Sequence, residues 1–173
     1  MSQAIFFQGT QMFPDAAGMP VSGINVGACQ GTAFYPATVG TLLVAFKLPD
    51  TITLDTGLTF DLLMADDPLN ARPGAKALFG VTAGPIVPGT STFDDASETS
   101  PLAGSTEVTF TVTTPSAAGV LLVMTPTVMT DDLGSLEGGD WCMVRVRRLG
   151  TDVSDQHHGR IVLLGVDVSD AMP

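Results

Sequence analysis

The sequence predicts an all-β fold: a single-domain antiparallel β-sandwich, jelly-roll-like, with an N-terminal arm. Three observations lead there. Apolar residues recur with a period of two in five separate segments, which is the signature of strands buried on one face. The stretches between them are clusters of Gly, Pro, Asp, Ser and Thr, the residues of turns. No segment repeats its apolar residues at the three- and four-residue spacing of a long amphipathic helix. The 173 residues include 19 glycines and 12 prolines, enough for many tight turns but fewer than marks a disordered chain.

The elements follow in order. Residues 1–30 are irregular, with a weak strand signal at 4–8, and two readings stand side by side. One is an arm that adds to a neighbouring subunit, using Ile5, Phe6, Phe7, Met12 and Phe13; the other is the first strand of the same sandwich. Residues 31–173 form the sandwich proper, opening on a weak strand at 31–36. Leu42, Val44, Phe46 and Leu48 then share one face, opposite Thr41, Leu43, Ala45 and Lys47. Leu58, Phe60, Leu62 and Met64 repeat the pattern against Thr59, Asp61, Leu63 and Ala65.

A weaker strand is expected at 75–83, and Val108 to Thr113 alternates strictly. Val120 to Met124 fits a buried strand or a helical turn by periodicity, and Gly119 and Pro126 on either side favour a short strand. Cys142, Val144 and Val146 oppose Met143, Arg145 and Arg147, which puts Arg148 on the face away from the other two arginines. Val162, Leu164, Val166 and Val168 are read as one face of the last strand. The long connections near 66–75 and 84–106 suit crossovers between two sheets.

Charge narrows the function. Eighteen acidic residues against seven basic ones give a formal net charge of −11, and only 14% of residues are charged, while 45% are hydrophobic and the mean hydropathy is +0.34. This excludes a coiled coil, a disordered tail and a nucleic-acid-coating protein, which needs a basic surface. It leaves more apolar residues than a core of this size requires. The longest apolar runs, such as 117–124, are too short to cross a bilayer. The first eight residues lack the basic and apolar regions of a signal peptide, so synthesis in a cytoplasm without export is expected.

No constellation points to catalysis, and no cofactor is expected. Adjacent His157 and His158 point to opposite faces on a strand and lack further ligands at metal spacing, so they read as part of a polar turn. The acidic groups Asp66-Asp67, Asp94-Asp95 with Glu98, and Asp131-Asp132 with Glu137 do not match a calcium loop. There is no nucleophile elbow and no phosphate-binding loop. Cys29 and Cys142 make neither a disulfide framework nor a zinc site, and a single bridge between them stays open. Arg145 and Arg147 share a face. They can pair with carboxylates of this chain or dock on an acidic partner.

The last third carries a resemblance. Leu136-Glu137-Gly138-Gly139-Asp140-Trp141 leads into a strand ending in Arg147-Arg148, followed by a polar loop with Asp155, then Gly159 and the apolar run 161–168. This resembles small virion structural proteins of tailed bacteriophages. Upstream, Phe46-Lys47-Leu48-Pro49 followed by Leu58 to Leu63 is similar to the paired strands of that group. The resemblance implies a jelly-roll capsid decoration (cement) protein or a head or tail appendage, with no active site to carry over. The implied partners are the major capsid protein and further copies of this chain, as a homo-oligomer with a trimer favoured, on the virion surface and without nucleic acid or membrane. The alternatives are a head-fibre or tail-appendage module that binds a receptor or glycan, and a small β-sandwich enzyme.

Overall fold

A computed structural model describes residues 7–8, 13–14, 21–26, 29–67, 71–91, 100–115, 117 and 120–171. Among the described residues twelve strands form two antiparallel sheets. They are β1 (Phe7–Gln8), β2 (Phe13–Pro14), β3 (Val21–Val26), β4 (Cys29–Phe34), β5 (Val39–Lys47), β6 (Leu58–Asp66), β7 (Lys76–Pro85), β8 (Val108–Thr113), β9 (Leu121–Met124), β10 (Thr127–Val128), β11 (Trp141–Leu149) and β12 (Ile161–Asp170). Sheet A runs β10-β6-β12-β4-β3, with β9 continuing β10 along β6 and β1 beside β12. Sheet B runs β2-β5-β11-β7-β8. The single helical element among the described residues is a 3-10 turn at Thr130–Asp132. This is a β-sandwich, as the alternation of apolar residues predicts.

The core lies between the sheets and is built from the alternating residues. Leu42, Val44 and Phe46 of β5, the four apolar residues Leu58 to Met64 of β6, and Cys142, Val144 and Val146 of β11 are all buried in it. Phe79 of β7 sits at its centre, edge-on to Phe34 at 5.4 Å and stacked near Phe110 at 6.0 Å. Rings at these separations add to the area they bury.

The structure corrects two expectations. Val162 and Leu164 do not share a face with Val166 and Val168. A bulge between Leu163 and Gly165 inserts one residue against β6, and an extra residue reverses the alternation that follows. Ile161, Leu163, Val166 and Val168 therefore face the core, while Val162 and Leu164 join Val26, Ala33 and Ala65 in a second apolar cluster. Next, the 84–106 connection is no crossover, because β7 and β8 are neighbours in sheet B. Its described end, 100–106, lies over the sheet's outer face, where Leu102 packs on Leu43 and Met143. The 66–75 connection is a crossover as expected, leading from β6 in sheet A to β7 in sheet B.

The first 30 residues admit two readings, arm or first strand. Phe7 pairs with Val166 of β12 and Phe13 with Leu43 of β5, while β3 and β4 form a hairpin in sheet A. The described parts of the first 30 residues are thus strands of this chain's own sheets, with Pro14 on an edge where its missing N–H costs nothing. Ile5, Phe6 and Met12 lie outside the described residues.

Candidate functional site

Arg145 and Arg147 stand side by side on the outer face of β11, as their odd-numbered positions require. Between them lies a carboxylate that no local pattern announces: Glu107, at the entry to β8. Arg147 grips it through Nε and Nη2, the latter at 2.8 Å, and Arg145 Nη2 lies 3.6 Å away while also donating to Thr82 Oγ1 at 3.0 Å. Gly80 makes room for this. A Cβ there would lie 2.7 Å from both carboxylate oxygens of Glu107. The pairing is with a glutamate far along the chain rather than with the nearby aspartates.

Arg148 faces the other way and is fully buried at the end of the core. Its Nε and Nη2 each meet the Asp155 carboxylate at 2.8 Å, the bidentate geometry that makes guanidinium–carboxylate pairs strong. Nη1 donates to the carbonyls of Gly159 at 2.7 Å and Phe34 at 3.3 Å, and Nη2 also to that of His157. Asp155 in turn accepts from the amides of Leu78 and His157, both at 3.2 Å. One side chain thus pins the whole 150–160 loop between β11 and β12.

His157 belongs to the same buried group rather than to an open turn. Its Nδ1 accepts from the Gly159 amide at 3.1 Å, and its Nε2 faces Asp66 Oδ1 at 3.3 Å, an electrostatic contact more than a well-directed hydrogen bond. Asp66 Oδ2 accepts from the Arg72 amide at 2.7 Å. Next to it Arg160 pairs with buried Asp67 and lies 5.6 Å over the Tyr35 ring. Among the described residues no three His, Cys, Asp or Glu side chains converge as metal ligands. Cys142 is a buried free thiol whose pKa burial pushes up to about 12.

Two hollows lie at opposite ends of β11. A recess of about 310 Å³ is lined by Tyr35, Pro36, His158, Gly159 and Arg160. A larger cleft of about 430 Å³ is bounded by Pro85, Ser91, Ser100, Ser105, Asp131 and Asp132, among others. Trp141 opens β11 at the cleft's end of the sheet and is half exposed. The turn before it is closed by Asp140, whose Oδ2 accepts from the Glu137 amide at 3.0 Å, with Gly139 at φ +88°, where side chains are strained.

No protein family profile and no curated protein matches this sequence. Solved structures do share its fold. A family 35 carbohydrate-binding module from Clostridium thermocellum aligns over 98% of this chain and 99% of its own, with a TM-score of 0.53 at 10% identity. A non-crystalline cellulose specific carbohydrate-binding module, CBM28, aligns over 94% and 89%, with a TM-score of 0.52 at 13% identity. An exo-beta-1,3-galactanase from Phanerochaete chrysosporium aligns over 96% of this chain at a TM-score of 0.52 and 10% identity, yet the chain spans only 29% of that enzyme. At such identities the likeness shows the fold alone, a jelly-roll-type β-sandwich.

Proposed function

We propose that this chain is a non-enzymatic structural module of a tailed-bacteriophage virion, seated on the capsid surface as a decoration protein and bound to the major capsid protein. The observation that carries the reading is where the apolar surplus lies. Val120, Leu121 and Val123 on one sheet edge, and Val87 and Trp141 at the end of sheet B, are 44–58% exposed. A charge of −11 keeps separate copies dissolved before assembly. Covering such patches at a joint gains about 25 cal/mol per Å² of apolar area, repeated at every lattice position.

The resemblance of the last third supports the setting. Its arginine, loop aspartate and glycine are Arg148, Asp155 and Gly159, all of them committed to the fold, which fits a structural pattern rather than a catalytic one. Fractionating the virions that carry the protein tests the proposal. The protein should be found on heads, its release by mild dissociation should lower their resistance to heat, and adding it back should restore that resistance. Recovery from tails or fibres alone, or release with no change in resistance, would refute it.

A second reading, an appendage module that binds a glycan, is favoured by the cleft. Serine hydroxyls and the carboxylates of Asp131 and Asp132 around a hollow of about 430 Å³, with Trp141 at the same end of the sheet, suit the hydroxyls and apolar faces of a saccharide. Calorimetry against neutral oligosaccharides, with Asp131→Asn and Trp141→Ala as controls, separates the two readings.

A further inference from the structure

We infer that β9 is a self-pairing edge through which two copies of this chain form a two-fold dimer with a continuous sheet. The backbone argument comes first. The β6 pairing keeps one register through β9 and β10, with Leu62 opposite Met124 and Thr59 opposite Thr127. Within that register the Phe60 amide donates to the Pro126 carbonyl at 2.9 Å. Because hydrogen-bonding groups alternate along an antiparallel ladder, Leu122 and Met124 also turn theirs toward β6. Leu121 and Val123 therefore present their N–H and C=O groups on an edge that no strand among the described residues pairs. Pro126, whose missing N–H would spoil an edge, has its backbone turned inward.

The side chains agree. Leu121 is 52% and Val123 58% exposed on the outer face of sheet A, and Val120 beside them is 44% exposed. On the inner face Leu122 and Met124, together with Val108 and Phe110 of β8, are only half buried against the main core. These residues border one side of the sandwich, since β10 lies against β7 across the core. An apolar seam is thus left open there, on both faces of the edge strand. Exposed edges are ordinarily guarded by charge, proline or a bulge, and β9 has none of these.

Charge decides for a second copy as the occupant. From Pro115 to Thr130 the sequence holds no charged residue, although the chain carries −11, so this is where two like-charged copies approach with least repulsion. An antiparallel pairing centred on Leu122 sets Leu121 opposite Val123 of the second copy and the reverse, which a two-fold axis allows and a three-fold does not. The residues that this axis pairs, 120–124, run roughly 17 Å at about 3.3 Å per residue, a contact below the standard interface size, so the pairing forms as concentration rises. The inference is independent of the virion reading.

Sedimentation of the full chain and of Val123→Lys, over a wide range of concentration, tests it, together with amide hydrogen exchange. The wild type should shift from monomer to dimer as its concentration rises. The lysine variant, altered at an exposed side chain and checked for folding by circular dichroism, should dimerise about tenfold more weakly or not at all, because its charge meets Leu121 of the second copy. Exchange at the Leu121 and Val123 amides should be slow in the dimer and fast in the variant, while the Leu122 and Met124 amides stay protected in both. A monomer at every concentration, a trimer, or a dimer that Val123→Lys leaves intact would overturn the inference.

Discussion

Replacing Arg148 by methionine tests the buried clamp most directly. Methionine keeps the length and apolar stem of the side chain but removes five hydrogen bonds: two to Asp155 and one each to the carbonyls of Phe34, Gly159 and His157. Asp155 would remain as a buried carboxylate held only by the amides of Leu78 and His157 at 3.2 Å. Removing one member of a buried ion pair costs about 3–5 kcal/mol, because the other is left uncompensated. Against a total stability of roughly 5–15 kcal/mol that is a large share. For a domain of this size it lowers the melting temperature by about 6–20 °C. Urea unfolding followed by circular dichroism and by the fluorescence of Trp141, the single tryptophan, gives the difference in free energy. A loss under about 1 kcal/mol, the range of exposed ion pairs, would refute the view that Arg148 holds the β11–β12 loop. Coupling near zero between Arg148→Met and Asp155→Asn in a double-mutant cycle would refute it as well.

Two further outcomes are expected. Gly80→Ala places a methyl group 2.7 Å from both oxygens of Glu107, so the carboxylate must swing away from Arg145 and Arg147. The loss should be about 1–2 kcal/mol in urea unfolding, and Glu107→Ala in the same chain should make the alanine at 80 nearly neutral. The Cys142 thiol, held at about 12 by burial against 9.0 when exposed, keeps its proton in the folded state where the unfolded chain has lost it. Stability therefore falls as pH rises from 9 toward 12, by one proton's worth of slope. Cys142→Ala should remove that component, measured as the shift of the urea midpoint between pH 8 and pH 10.

How far the sequence was legible follows from the range of each signal. Alternation is local, so β5, β6, β8 and β11 could be read directly, and with them the inward placement of Arg148. A bulge is one inserted residue with no compositional mark beyond Gly165, so the parity of β12 was misread at Val162 and Leu164. Two-residue strands such as β1 and β2 are too short to carry a period, and their membership in the two sheets is decided by partners more than a hundred and about thirty residues away. Glu107 shows the same limit on the chemical side. It lies 40 residues from Arg147 in sequence, and only the β11-β7-β8 order of sheet B brings it there. The histidine pair was half legible: His158 lines the outer recess, but the burial of His157 against Asp66 depends on β6 and β12 being neighbours.

Salt dependence separates the two kinds of contact that the chain could make with a partner. Five of the seven basic residues, Lys47, Arg145, Arg147, Arg148 and Arg160, already reach carboxylates of this chain. An acidic partner docking on Arg145 and Arg147 would have to displace Glu107, exchanging one carboxylate for another with little gain. The apolar edge has no such competitor, and there the opposing force is repulsion between copies of charge −11. Raising the ionic strength from about 0.1 M to about 1 M shortens the screening length from roughly 10 Å to roughly 3 Å. Repulsion between whole copies is then largely removed, while the apolar gain persists. Association should therefore hold or tighten with salt, read as the sedimentation midpoint for self-pairing and as retention on heads for capsid binding. Association that weakens steadily over the same range would put the arginine face, not the β9 edge, at the joint.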